Sequence, residues 1–368
     1  MADKNNISST DRQSIHNYGI DALRMLAMYM VVLAHILGAG GILEAAAPMS
    51  IQYKAAWFLE IAAYCTVNCY ALISGYVGIN TKYKYQSIVL LWLRTAFYTV
   101  SITLLFSIFV PGSVTLKNWI KAILPVTSAF YWYFTSYFAM FIFVPILNIA
   151  INKMNKEQLR AIVVGLIIVF SCIQTLSGKE IFSTSSNAWW LIILYIIGGY
   201  IRKYGLFKKS CALKLFIGYL LMTSLTWLWK ITIEAGIFPF LESLGGNYLV
   251  NHTSPTMLAA GIFLLLIFER INPTQIANKI ISFFAPMAFS VYLIHANPFI
   301  WNYLLKQRFS GYAKLSVPLE IILVLLTTLA IYIVCSFIDL IRIGIFKGLK
   351  LKQHLAKLED KYLGHLWH

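Results

Sequence analysis

Ten apolar runs, each close to the length of a membrane-spanning helix, leave this chain very few ways to fold. A hydrocarbon core about 30 Å thick takes roughly 20 mostly apolar residues per helix. Runs ended by charged, Pro and Gly clusters fall at about 19–39, 55–79, 88–111, 128–151, 160–177, 187–201, 211–230, 253–269, 280–305 and 316–341. Composition agrees: 59% of the 368 residues are hydrophobic and 12% are charged, against roughly 45–50% and about 25% in soluble domains. Too few polar side chains exist to cover a soluble surface, which excludes a disordered chain and a nucleic-acid-binding domain. The expected fold class is all-α, a polytopic membrane helix bundle of about ten transmembrane helices.

The net charge of +16, from 30 Lys and Arg against 14 Asp and Glu, can be read as a polyanion signal or as topology. If both termini are cytoplasmic, nineteen of the thirty positive residues fall on the inner side, seven on the outer side and four in or at the edges of spans. That bias favours both termini inside. The expected organisation is a polar cytoplasmic N-terminus over 1–18, a membrane domain over 19–341 and a basic cytoplasmic tail over 342–368, with no cleavable signal peptide and no appended soluble domain. Two aromatic clusters, Tyr131, Trp132 and Tyr133, and Trp189 with Trp190, are expected as anchors at the outer interface.

Ionisable groups at membrane depth are costly and mark function by default. Here they are Arg24 and His35 in the first run, Glu60 in the second, Arg94 in the third, His295 in the ninth and Asp339 in the tenth. Arg24 and His35 are eleven positions apart, within about 20° of three full helical turns, so they share one face about 16 Å apart along the axis. Each has a plain alternative: a snorkelling cation for Arg24 and Arg94, a packed structural histidine for His35 and His295. Two snorkelling residues have no reason to align, which weakens that alternative for the first helix. Pro298 after His295 is expected to open the helix locally. Cys65 and Cys69, with no CxxC pair and no Cys/His ligand spacing in the chain, read as packing residues, and no metal site is expected.

These segments together resemble a known family. GIDALRMLAMYMVVLAHI resembles the first helix of the membrane acyltransferase-3 family, whose signature is an Arg followed by a His in that helix. NCYALISGYVG resembles its Ser-Gly-Tyr/Phe motif at Ser74, Gly75 and Tyr76, Arg94 sits where a basic motif occurs, and FSVYLIHANP resembles its late Tyr-Leu-x-His segment. The similarity runs from about 17 to 340. Relatives often carry two or more arginines after the Ser-Gly motif, whereas LWLRTAFY has only Arg94. A hydrolase-like domain fused to the C-terminus of some relatives is not expected here.

The resemblance implies an enzyme of the bacterial inner membrane that moves an acyl group, usually acetyl, from acetyl-CoA to a hydroxyl of a cell-envelope carbohydrate, with no tightly bound cofactor. On that reading Arg24, Arg94, Ser74, Gly75 and Tyr76 hold the acyl-CoA. His35 acts as general base, or carries the acyl group as a transient acyl-histidine, with Glu60 and His295 as further catalytic groups. Expected partners are acyl-CoA, a carbohydrate or lipid-linked sugar acceptor and the bilayer, and no nucleic acid. The main alternative is a flippase for a lipid-linked oligosaccharide, which would favour internal repeats; none is visible. A polymerase of repeat units, the third reading, would favour a larger outer loop than the one near 231–252.

Overall fold

A computed structural model describes residues 16–128, 130–178 and 187–362. The first fifteen residues with Lys4 and Arg12, Lys179 in an expected outer loop, and the end of the tail with His365 and His368 lie outside the described residues. Every regular element among the described residues is helical. The principal helices are α1 (Tyr18–Leu37), α2 (Ile51–Tyr64), α3 (Thr66–Gly78), α4 (Tyr85–Phe109), α5 (Trp132–Lys153) and α6 (Lys156–Ile167, prolonged to Leu176). They continue with α7 (Ala188–Tyr204), α8 (Ala212–Glu234), α9 (Pro255–Phe268), α10 (Gln275–Phe284), α11 (Ala288–His295), α12 (Val317–Gly348) and α13 (Leu351–Tyr362).

Eight stretches among the described residues are long and apolar enough to cross a membrane: α1, α2 with α3, α4, α5, α6, α8, α10 with α11, and α12. The sixth and eighth apolar runs form shorter helices of 17 and 14 residues. At 1.5 Å per residue these are about 25 and 21 Å long, short of a hydrocarbon core. Helix α9 is short because Ser254 accepts a hydrogen bond from the Met257 amide and Pro255 takes the first helical position, so the helix can begin no earlier.

Helix α1 begins at Asn17, whose side chain accepts from the Ile20 amide, and runs through the middle of the bundle against α2, α3, α9, α11 and α12. Its central position puts the Arg24–His35 face in the interior rather than against lipid. Glycines bring α3 and α7 together. A Cβ on Gly75 would lie 1.9 Å from the Tyr195 carbonyl oxygen, and one on Gly198 would lie 2.1 Å from the Leu72 oxygen.

Of the expected interfacial anchors, Trp132 and Trp189 are exposed, but Tyr131, Tyr133 and Trp190 are buried. Neighbouring residues on a helix point about 100° apart, so a cluster of two or three rings cannot all face the interface. The Tyr131 hydroxyl donates to the Leu293 carbonyl at 2.6 Å, and the Trp190 indole donates to Asn68 at 2.9 Å.

Asp339, the ionisable residue of the tenth run, is fully buried and paired. It accepts from Arg342 at 2.6 and 2.8 Å and from the Tyr98 hydroxyl, the pairing a buried carboxylate requires. Beyond it α12 continues to Gly348, and α13 folds back onto the start of α4. There Glu359 accepts from the backbone amides of Tyr85 at 2.7 Å and Gln86 at 3.1 Å, while Lys84 supplies no side-chain cap of its own. A tail carboxylate thus caps a helix of the bundle and meets its positive end. Glu359→Ala is expected to cost about 0.5–2 kcal/mol of stability, read as a lowered Tm and faster limited proteolysis within 351–362.

Candidate active site

Two histidines from distant parts of the chain meet at the ends of their helices. His35 lies in the last turn of α1 and His295 closes α11. The His35 Nδ1 lies 2.9 Å from His295 Nε2, and His295 Nδ1 lies 2.6 Å from the Val291 carbonyl oxygen. A carbonyl only accepts, so in the neutral pair His295 carries its proton on Nδ1 and presents a lone pair at Nε2. His35 must then donate from Nδ1, and its Nε2 keeps a free lone pair. The free lone pair at His35 Nε2 is therefore the position at which the pair can accept a proton. The edge-on Trp301 ring, 4.7 Å away between centroids, packs against His35. After His295 the helix breaks, and Asn297 caps the turn that restarts at Pro298, as the Pro predicts.

Two cavities lie along the polar face of α1. The larger, about 420 Å³, is lined by Arg24, Ser74, Lys82, Lys84, Arg94 and a set of aromatic rings. The smaller, about 210 Å³, is lined by His35, Glu60, Tyr64, Thr66, Trp132 and His252. Tyr70, Tyr133 and Phe289 line both and form the wall between them. Arg24 is fixed by Asp21, which also bonds His16 at 2.6 Å, and a third of its side chain remains exposed. The Ser74 hydroxyl donates to the Tyr70 carbonyl at 2.8 Å.

Four cationic residues therefore converge on the larger cavity, and their anion-binding capacity follows from charge and from the planar donors of the two arginines. Lys82 and Lys84, in the loop before α4, line the same cavity as Arg94. Their position soon after the Ser-Gly motif is the sequence signal that points to them.

Two residues assigned to acyl-CoA are elsewhere. Gly75 faces the Tyr195 backbone of α7, and Tyr76 is buried with its hydroxyl accepting from Arg202 at 3.1 Å and its ring 5.0 Å from that guanidinium. Ser74 faces the cavity, so the next two positions on the same helix are turned away from it. His252, by contrast, lies outside the expected spans and lines the smaller cavity with His35.

Residues 17–367 match the family model described as acyltransferase domain. The chain belongs to the acyltransferase-3 family, and with its apolar helices it is a multi-pass membrane acyltransferase. No curated protein and no solved structure matches it.

Proposed function

We propose that the protein is an O-acetyltransferase of the bacterial cell membrane, moving acetyl from acetyl-CoA to a hydroxyl of an exopolysaccharide, capsule or other cell-envelope carbohydrate. The observation that carries this reading is the pair of neighbouring cavities on one face of α1, one lined by cations and the other by His35, which is hydrogen-bonded to His295. With the Arg24 end cytoplasmic, as the distribution of Lys and Arg favours, the phosphates of CoA sit among Arg24, Lys82, Lys84 and Arg94. The pantetheine arm passes Tyr70, Tyr133 and Phe289, and its thioester reaches His35.

There His35 Nε2 takes the proton of the acceptor hydroxyl as that oxygen attacks the thioester carbonyl. The new C–O bond forms, the C–S bond breaks, and the proton on His35 passes to the departing thiolate. His295 orients the His35 ring and shares the developing positive charge. The products are an acetyl ester and CoA, and His35 returns to its starting form.

The test is a deletion strain complemented with the chain, assayed for ester-linked acetate on surface polysaccharide. Deletion should remove the ester and leave polysaccharide export intact; loss of export with the ester unchanged on the residual polymer would favour the flippase. In the purified protein, Arg24→Ala and Arg94→Ala should each raise KM for acetyl-CoA tenfold or more, the scale of a charge-assisted hydrogen bond worth about 1.5–3 kcal/mol, with kcat within a few-fold. Steady-state kinetics at varied acetyl-CoA would check this, and an unchanged KM in both variants would remove the arginines from the donor site.

A further inference from the structure

The smaller cavity has a second polar wall, whose hydrogen-bonding atoms the transfer step does not use. Glu60 Oε2, Thr66 Oγ1, Tyr133 OH and His252 Nδ1 are all buried atoms without a hydrogen-bond partner, and all four residues line this one cavity. The Glu60, Thr66 and Tyr133 residues are 8%, 4% and 8% exposed. A buried polar atom left unpaired costs about 1–3 kcal/mol, and such groups are rare in folded proteins. Four in a single cavity mark a place where a polar ligand supplies the partners.

The wall is also rigid. Because α9 begins only at Pro255, the segment 251–254 stays irregular inside the bundle, and such backbone is tolerated at membrane depth where it lines a cavity. The His252 carbonyl accepts from Asn68 at 2.9 Å, and the Thr253 carbonyl accepts from Ser171 at 2.6 Å. The His252 ring stacks on Tyr64 at 4.6 Å and on Trp132 at 6.1 Å. The break between α2 and α3 at Cys65 puts Glu60 and Thr66 on either side of a bend, both turned to the same space.

We propose that Glu60, Thr66, Tyr133 and His252 form the acceptor subsite, and that it takes a hydroxyl-rich ring, a sugar bearing at least two neighbouring free hydroxyls, rather than a simple alcohol. One hydroxyl is presented to His35 Nε2 while the next pairs with the orphaned atoms, among which hydroxyls both donate and accept and His252 Nδ1 accepts. Specificity of this kind is steep, because an acceptor lacking the second hydroxyl leaves these groups unpaired. The inference rests on the acetyltransferase reading and deepens it.

The test uses the full chain with Thr66→Val and His252→Phe, which keep side-chain volume and, for His252, the stacking on Tyr64 and Trp132. Each variant should lose at least tenfold of the surface ester in the complemented strain while binding acetyl-CoA within twofold of the unsubstituted protein by calorimetry. Full ester in both variants, or acetyl-CoA affinity lost in both, would overturn the assignment. In the purified unsubstituted protein, CoA release should be at least tenfold faster with trans-1,2-cyclohexanediol than with cyclohexanol at equal concentration, and release no faster with the diol would overturn the ligand class. Retention of the ester in His35→Ala would instead strike the acetyltransferase mechanism and is scored separately.

Discussion

His35→Ala is expected to lower kcat for acetyl transfer by about 10³-fold or more, the upper range for losing a positioned general base, with KM for acetyl-CoA little changed. His295→Phe should fall less far, by about 10²-fold, because His35 remains but nothing accepts from its Nδ1. The neutral ring can then place its proton on Nε2, where it blocks the reaction. His295→Asn, whose side-chain oxygen can accept that hydrogen bond, should recover part of the loss, which a merely structural histidine would not show. Protonation of the pair removes the free lone pair, so the rate should also fall towards acid pH. Single-turnover rates on detergent-purified protein, normalised to folded protein, would check these points. Transfer by His35→Ala within tenfold of the unsubstituted chain would sink the assignment.

The largest effect on stability should come from a residue that touches no substrate. In Gly75→Ala the new methyl lies 1.9 Å from the Tyr195 carbonyl oxygen, and neither backbone can yield without separating α3 from α7. The close approach is reciprocal, since a Cβ on Gly198 would lie 2.1 Å from the Leu72 carbonyl oxygen. Overpacking costs about 1–3 kcal/mol when side chains can shift, so a clash with backbone should cost at least about 3 kcal/mol, a large share of a typical total of 5–15 kcal/mol. Gly165, with nothing within 4 Å of its would-be Cβ, is the control: Gly165→Ala should be neutral or slightly stabilising. Thermal unfolding in detergent would compare them, and equal Tm values would refute the close approach. The comparison also guards against misreading lost activity in Gly75 variants as lost acyl-CoA binding.

Local periodicity made part of the site legible. The Arg24–His35 face depends only on the geometry of one helix, and a single sequence contains that. The pairing of His35 with His295 depends on α11 packing beside α1 across 260 residues, for which spacing offers no ruler. Ser74, Gly75 and Tyr76 are grouped by their resemblance to one family motif, yet adjacent positions on a helix scatter side chains around the axis, so of the three only Ser74 reaches the cavity. His252 was hidden for a different reason: it precedes the run at 253–269, and spacing does not show that the irregular segment before α9 lies inside the bundle. Glu60 stood out as a carboxylate in an apolar run, and it does line the His35 cavity. Thr66 and Tyr133 gave no such signal, because hydroxyls are common in membrane helices.

A donor arm that reaches into the bilayer, as proposed above, brings a hazard that soluble transferases do not face, since a water column from one side to the other would carry protons and discharge the membrane potential. The two cavities here stay separate, and what divides them is Tyr70, Tyr133 and Phe289. These rings would admit a slender thioester arm, and of their two hydroxyls that of Tyr70 is already engaged with the Arg24 carbonyl, which leaves a hydrated ion few groups to exchange its water for. On the proposed reading, the same residues that steer the donor would let the cell keep its energised membrane during group transfer.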